Sequence, residues 1–145
     1  MLLRRKSQKV EVLKRVPLFR DLSNRDLDLI ARAVDEMRVL PGRVLARQGG
    51  LGREVFVILE GRARVERDGR PVARLKPGDT FGEMSLIDGQ PRSASVIADG
   101  DMTVLVVDSR SFIALLDDVP KLARKLLASL SERLRTADIQ LASRN

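Results

Sequence analysis

Arg62-Ala63-Arg64-Val65-Glu66-Arg67-Asp68-Gly69-Arg70-Pro71-Val72-Ala73-Arg74-Leu75 decides the fold. Across Arg62 to Arg67, small or apolar Ala63 and Val65 alternate with charged Arg62, Arg64 and Glu66, the period-two pattern of a half-buried strand. Asp68-Gly69 is a pair that tolerates the positive φ angles of a type I′ turn, and Val72 to Leu75 resumes the alternation. Such a hairpin is antiparallel by construction. Upstream, Val44-Leu45-Ala46 and Val55-Phe56-Val57-Ile58-Leu59 read as strands separated by Gly49-Gly50-Leu51-Gly52. Downstream come Ser95 to Ala98, the turn Asp99-Gly100-Asp101, and Met102 to Val107. Short strands at this spacing, with turn chemistry between them, predict an antiparallel β jelly-roll barrel.

Helices are expected on both sides of it. All ten glycines lie between Gly42 and Gly100, so the turn-rich middle is flanked by two glycine-free segments. In the first, Leu27, Ile30, Ala31 and Val34 recur at helical spacing behind Ser23, a residue suited to the N-cap, with Asp26 three residues on. A helix over roughly Asn24 to Val34 follows. Pro17 breaks whatever helix precedes it, and Leu18 and Phe19 then plug into the core. In the last segment Ser109 or Ser111 is read as the cap of a helix through Leu116, and Pro120 opens another. Along that final helix Ala123, Leu127, Leu130, Leu134, Ala137 and Leu141 form a heptad-like seam, either a dimerisation stripe or the face packed on the barrel. The fold class is therefore α+β: a jelly roll with N-terminal and C-terminal helices.

Composition narrows the chemistry. The chain has 145 residues, 43% hydrophobic and 32% charged, which suits one globular domain with appendages. It contains no His and no Cys. A Ser-His-Asp or Cys-His nucleophile, a zinc site with nitrogen or sulfur ligands, a haem with a His or Cys ligand and a Cys-held iron–sulfur cluster are all excluded in this chain. No metal and no catalytic step is expected. Without Cys there is no disulfide framework, and no apolar run is long enough for a signal peptide or a transmembrane segment, so a cytoplasmic protein is expected.

One stretch carries more specific chemistry: Phe81-Gly82-Glu83-Met84-Ser85-Leu86-Ile87-Asp88-Gly89-Gln90-Pro91-Arg92-Ser93-Ala94-Ser95-Val96. A single helical turn at Glu83 to Leu86, behind a glycine that lets the backbone approach a ligand, offers open N–H groups to an anion. Arg92, fixed behind Pro91, suits two oxygens of one phosphate, and Ser93 adds a hydroxyl. Glu83 is a strong acceptor for a sugar hydroxyl. Together these describe a nucleotide phosphate site. From spacing alone, a structural Glu83–Arg92 ion pair is the competing reading.

The run from Phe81 to Val96 closely resembles the phosphate-binding cassette of the cyclic nucleotide-binding domain family, which serves catabolite activators, protein kinase A regulatory subunits and cyclic nucleotide-gated channels. Val16-Pro17-Leu18-Phe19 with Leu22-Ser23 and Leu27 resembles that family's helical entry, and Gly49 to Gly61 its central strands. The resemblance implies that Arg92 pairs with the cyclic phosphate and that Glu83 accepts the ribose 2′-hydroxyl. It further implies that Phe81, Gly82, Met84 and Ser85 line ribose and phosphate, that Ser93 adds a phosphate or base contact, and that Ala94 keeps the pocket narrow. Ser85 departs from the family's usual Ala or Gly, and its contribution is expected through its backbone N–H.

The ligand implied is cAMP, with cGMP as competitor. An aromatic lid from the last helix is excluded, because Phe19, Phe56, Phe81 and Phe112 all precede it and there is no Trp or Tyr. Arg133 or Arg135 is expected to stack on the base, and Leu134 or Thr136 to meet its edge. Binding is expected to draw the cassette inward and repack the helices after Ser109, passing the signal to a protein partner or to a homodimer through the C-terminal helix. The alternatives are a scaffold that has lost the nucleotide, and the sensor half of a catabolite-activator-type transcription regulator. In the latter a helix-turn-helix domain follows the long helix, where here Asn145 comes, so direct DNA binding is not expected of this chain. The expected division is a basic arm at 1–15, the binding unit at 16–118, and a lid or dimerisation helix at 119–145. The net charge of +7 follows that division. Residues 1–20 carry +6 and 121–145 carry +4, leaving −3 for the stretch between. Phosphate attraction therefore rests on Arg92 and local N–H groups, while the basic arms read as solvated faces or as surfaces for an acidic partner or membrane.

Overall fold

The structure, a computed structural model, describes the backbone of residues 6–143 and the side chains of 8–137. Eight strands form two four-stranded antiparallel sheets. The strands are β1 (Asp35–Val39), β2 (Val44–Ala46), β3 (Glu54–Glu60), β4 (Ala63–Arg67), β5 (Arg70–Leu75), β6 (Thr80–Phe81), β7 (Ser95–Ala98) and β8 (Met102–Asp108). One sheet has the order β1-β8-β3-β6 and the other β2-β7-β4-β5. The helices are α1 (Lys6–Leu13), α2 (Asn24–Ala33), α3 (Glu83–Asp88), α4 (Ser109–Asp118) and α5 (Pro120–Ser143). No helix among the described residues is long and apolar enough to cross a membrane.

The hairpin is the one expected. Asp68 and Gly69 take φ angles of +54° and +76°, and β4 pairs with β5 through a bulge at Val65/Glu66. The expected closure into a barrel is corrected: the sheets face each other without joining. β6 is only two residues long and reaches only β3. β5 ends its own sheet, with charged Arg70 and Arg74 and a proline along an exposed edge, a composition that discourages further pairing.

The apolar run of β3 has two jobs. Phe56 and Ile58 point between the sheets with Val39, Ala63, Phe81 and Val104. Val55 and Val57 point the other way, onto a layer of helices with Leu13, Leu27, Ile30, Phe112, Leu115 and Leu122. Each such side chain removed from water contributes about 1.5–3 kcal/mol, so this central strand, buried on both faces, is where the layers are fastened. Leu18 and Phe19 are buried as expected, and the Ser23 Oγ accepts the Asp26 N–H at 3.1 Å to cap α2.

One helix cap is corrected, and the seam of α5 is divided between packed and exposed residues. α4 is capped by Asp108, not by Ser109 or Ser111: its carboxylate accepts the Ser111 N–H and hydroxyl, each at 2.9 Å, and these bonds hold its carboxyl below the usual value. On α5 the face against the domain is Leu122, Leu126 and half-buried Leu130, while Leu127 and Leu134 of the seam stand 64% exposed. The Leu141 side chain lies outside the described residues. Part of the basic excess is structural. Lys9 caps the end of α2 at the Val34 carbonyl (2.9 Å), and Lys121 and Lys125 tie α5 to the carbonyls of Asp21 (2.8 Å) and Pro17 (2.7 Å). Burial lowers the Lys125 pKa, against the opposing pull of Asp21.

Candidate functional site

The stretch from Phe81 to Ser95 leaves one sheet and enters the other, and a small cavity forms where it crosses. Phe81 anchors its start by stacking on Phe56, ring centroids 4.9 Å apart. The chain then needs a reversal that only glycine supplies. Gly82 has φ +96°, and a Cβ there would sit 2.6 Å from the Glu54 carbonyl and 3.0 Å from Arg92 Nη1. α3 follows and stops at Gly89, whose N–H returns to the Ser85 carbonyl. At Arg92 the main chain is clamped by two glycines: Arg92 N donates to Gly50 O (2.9 Å) and Gly49 N to Arg92 O (2.8 Å). The Arg92 Nη2 donates to the Glu54 carbonyl at 3.1 Å. Burial pulls the guanidinium pKa down and the nearby Glu54 and Glu83 carboxylates oppose it, and the half-buried cation lines the cavity.

Glu83 is the unusual residue. It is 1% exposed, and its Oε1 accepts from Arg133 Nη1 of α5 at 2.7 Å. Arg133 Nη2 donates to the Thr80 carbonyl, also at 2.7 Å. The Glu83 Oε2 is buried without any partner. Glu83 and Arg92 therefore do not form the structural ion pair that spacing allowed; each carboxylate or guanidinium contact goes elsewhere.

The cavity is about 190 Å³ and is lined by Phe81 to Ser85, Arg92 to Ala94 and Arg133. Its far wall is the second sheet, through Ala46, Val65, Leu75 and Val96, which the sequence reading did not single out. Leu134 and Arg135 do not line it, since one and two residues past Arg133 a helix has turned by about 100° and 200°. Thr136 faces an adjoining groove of about 790 Å³ between β5 and α5, which shares Leu75, Thr80 and Arg133 with the cavity, and its hydroxyl bonds back to the Glu132 carbonyl. Gly52 packs behind the site without lining the cavity: a Cβ there would be 2.5 Å from the Ser85 Cβ, so the side chain at 85 needs a glycine opposite it. The only signal of that in the sequence is the glycine-rich Gly49 to Gly52 segment.

A two-sheet domain brings a buried carboxylate and a half-buried arginine into one small cavity, an arrangement able to accept a hydroxyl and pair with an anion. The profile of the Cyclic nucleotide-binding domain family matches residues 36–119, and the chain belongs to that family. It is similar to the Cyclic AMP receptor protein of Thermus thermophilus, 37% identical over 135 residues, covering 89% of this chain and 62% of the relative. It is 37% identical to a cyclic nucleotide-gated potassium channel of Rhizobium etli over 123 residues, covering 85% of this chain and 34% of the channel. The crystal structure of the Thermus thermophilus Catabolite Activator Protein superposes with a TM-score of 0.77 at 36% identity, covering 87% of this chain and 62% of that one. The chain thus spans less than two thirds of each of these proteins.

Proposed function

We propose that this chain binds a 3′,5′-cyclic nucleotide, cAMP in preference to cGMP, as a regulatory module and not as an enzyme. The observation that carries the reading is Glu83, a buried carboxylate that lines the same cavity as Arg92 and whose Oε2 has no hydrogen-bond partner. A buried acceptor without a donor costs about 1–3 kcal/mol, and a ribose 2′-hydroxyl supplies that donor. Arg92, with one N–H on Glu54 and its hydration reduced by burial, pairs with the cyclic phosphate, and Ser93 stands beside it. Gly82, Met84 and Ser85 pass around ribose and phosphate, Ala94 keeps the cavity narrow, and the base rests against the apolar wall of Val65 and Leu75.

Arg133 acts in this reading through Glu83 and not by stacking alone. Among the described side chains from Ser131 to Ala137 none is buried, and Arg133 provides the hydrogen bonds that tie this half of α5 to the domain. Ligand on Oε2 and Arg133 on Oε1 share one carboxylate, so occupancy and docking of α5 are linked, and the lid at 119–145 reports binding by the 16–118 unit. The exposed stripe of Leu127 and Leu134 then meets a protein partner or a second copy of the chain in the cytoplasm.

Calorimetric titration tests the reading, because the chain has no Trp for fluorescence. cAMP binds more tightly than cGMP, and 2′-deoxy-cAMP loses about ten- to a hundredfold, the scale of a hydrogen bond to a charged acceptor. Equal affinity for cAMP and its deoxy analogue refutes the role of Glu83, and no heat with either cyclic nucleotide refutes the function.

A further inference from the structure

The tip of the β4–β5 hairpin is tied to the segment that carries Arg92. Gln48 Nε2 donates to Asp68 Oδ1 at 2.9 Å, and the Asp68 N–H donates to Gln48 Oε1 at 2.8 Å, so one side-chain amide closes a two-bond ring with the turn. The Gln48 N–H donates to Ser95 Oγ at 2.9 Å, and Arg67 Nε donates to the Ser93 carbonyl at 3.2 Å. Directly after Gln48 come the two glycines that hold both the N–H and the carbonyl of Arg92. Glycines have no side chain by which to be held, and three of the four residues from Gly49 to Gly52 are glycine. The nearest side chain that fixes this segment from its N-terminal end is Gln48.

We propose that Gln48, latched to the hairpin tip at Asp68, is a positioning residue for Arg92: it holds the Gly49-Gly50 clamp in register and so aims the guanidinium at the ligand phosphate. For the identity of the ligand this rests on the cyclic nucleotide reading. Both latch groups are exposed, so the expected effect is modest and local.

The test uses the full chain with Gln48→Ala, Gln48→Glu, and Gln48→Glu combined with Asp68→Asn. In Gln48→Glu two carboxylates face each other. In the double exchange the new carboxylate accepts both from the new amide and from the residue 68 N–H, which restores two bonds, the side-chain one with donor and acceptor exchanged and the backbone one unchanged. Two readouts are taken: cAMP affinity by calorimetry, and hydrogen exchange of the Gly49 and Arg92 amides by NMR. Each single substitution weakens cAMP about three- to tenfold, the scale of one net hydrogen bond, and speeds exchange at both amides. The double exchange restores wild-type values of both. In an Arg92→Ala background Gln48→Ala weakens binding no further, as for residues acting through one group. Unchanged exchange in Gln48→Ala, unchanged cAMP affinity, or an equal loss in both backgrounds overturns the assignment. If the wild type binds no cyclic nucleotide, the functional reading fails, and the exchange rates still decide whether Gln48 holds Arg92.

Discussion

The substitution Arg133→Ala removes the ion-pair partner of Glu83, a carboxylate only 1% exposed. Losing one member of a fully buried ion pair costs about 3–5 kcal/mol, chiefly because the surviving charge has no water. Here the figure is smaller. The Arg133 side chain is itself 43% exposed, so solvent already screens the attraction, and the stretch 131–137 of α5, in which no described side chain is buried, lifts and lets water reach Glu83. A loss of about 2 kcal/mol follows, or roughly 4–8 °C in Tm for a domain of this size. Urea unfolding followed by far-ultraviolet circular dichroism measures it. Arg133→Ala combined with Glu83→Gln recovers at least half of the loss, because a neutral amide is cheaper to bury than a carboxylate. Amides of residues 131–137 exchange faster in the single variant while those of β3 and β8 do not. A loss below about 0.5 kcal/mol, the scale of an ordinary surface change, refutes the reasoning, as does a double variant no more stable than the single.

Three further outcomes follow from the same geometry. Gly82→Ala forces a Cβ onto the Glu54 carbonyl at a φ of +96°, costs about 2 kcal/mol or more, and abolishes cAMP binding by displacing Arg92; binding retained in calorimetry contradicts it. Leu127→Glu with Leu134→Glu changes monomer stability by no more than about 0.5 kcal/mol, since both side chains are 64% exposed, but shifts sedimentation equilibrium from dimer to monomer; a wild type that is already monomeric removes the proposed second copy. Asp108→Asn weakens the cap of α4 with a defined pH dependence. The Asp108 carboxyl is held below its ordinary value of 3.8, so its contribution is full above that value and is lost as pH falls through the lower folded value. The gap in Tm between wild type and variant therefore stays constant near neutrality and closes in acid; a gap that persists there contradicts the cap.

What the sequence makes legible is whatever is local. The Asp68-Gly69 turn, the Ser23 cap and the Phe81 to Ala94 stretch each carry their own chemistry within a few residues, and the structure brings Phe81 to Ser85 and Arg92 to Ala94 of that stretch around one cavity. β1 carries only two apolar residues, Met37 and Val39, behind Asp35 and Glu36, an alternation too short to read; its pairing with β8 makes it a strand. β6 is two residues long and has no periodicity to read. Asp108 was hidden by the serines around it, although a carboxylate followed three residues later by Ser111 caps a helix equally well. Whether two sheets close into a barrel depends on edges that no local pattern encodes. The contact of Glu83 with Arg133 spans fifty residues, and only the placement of α5 on Val119, Leu122 and Leu126 brings it about.

The central claim is that Arg92 and Glu83 form a cyclic nucleotide site, and calorimetric titration of cAMP into the wild type and Arg92→Ala tests it most directly. The account predicts saturable binding to the wild type and a loss of about 2–5 kcal/mol in the variant, the scale of truncating one member of a hydrogen-bonded charge pair, with circular dichroism unchanged. Equal affinities in the two proteins, or no binding to a folded wild type, would contradict it.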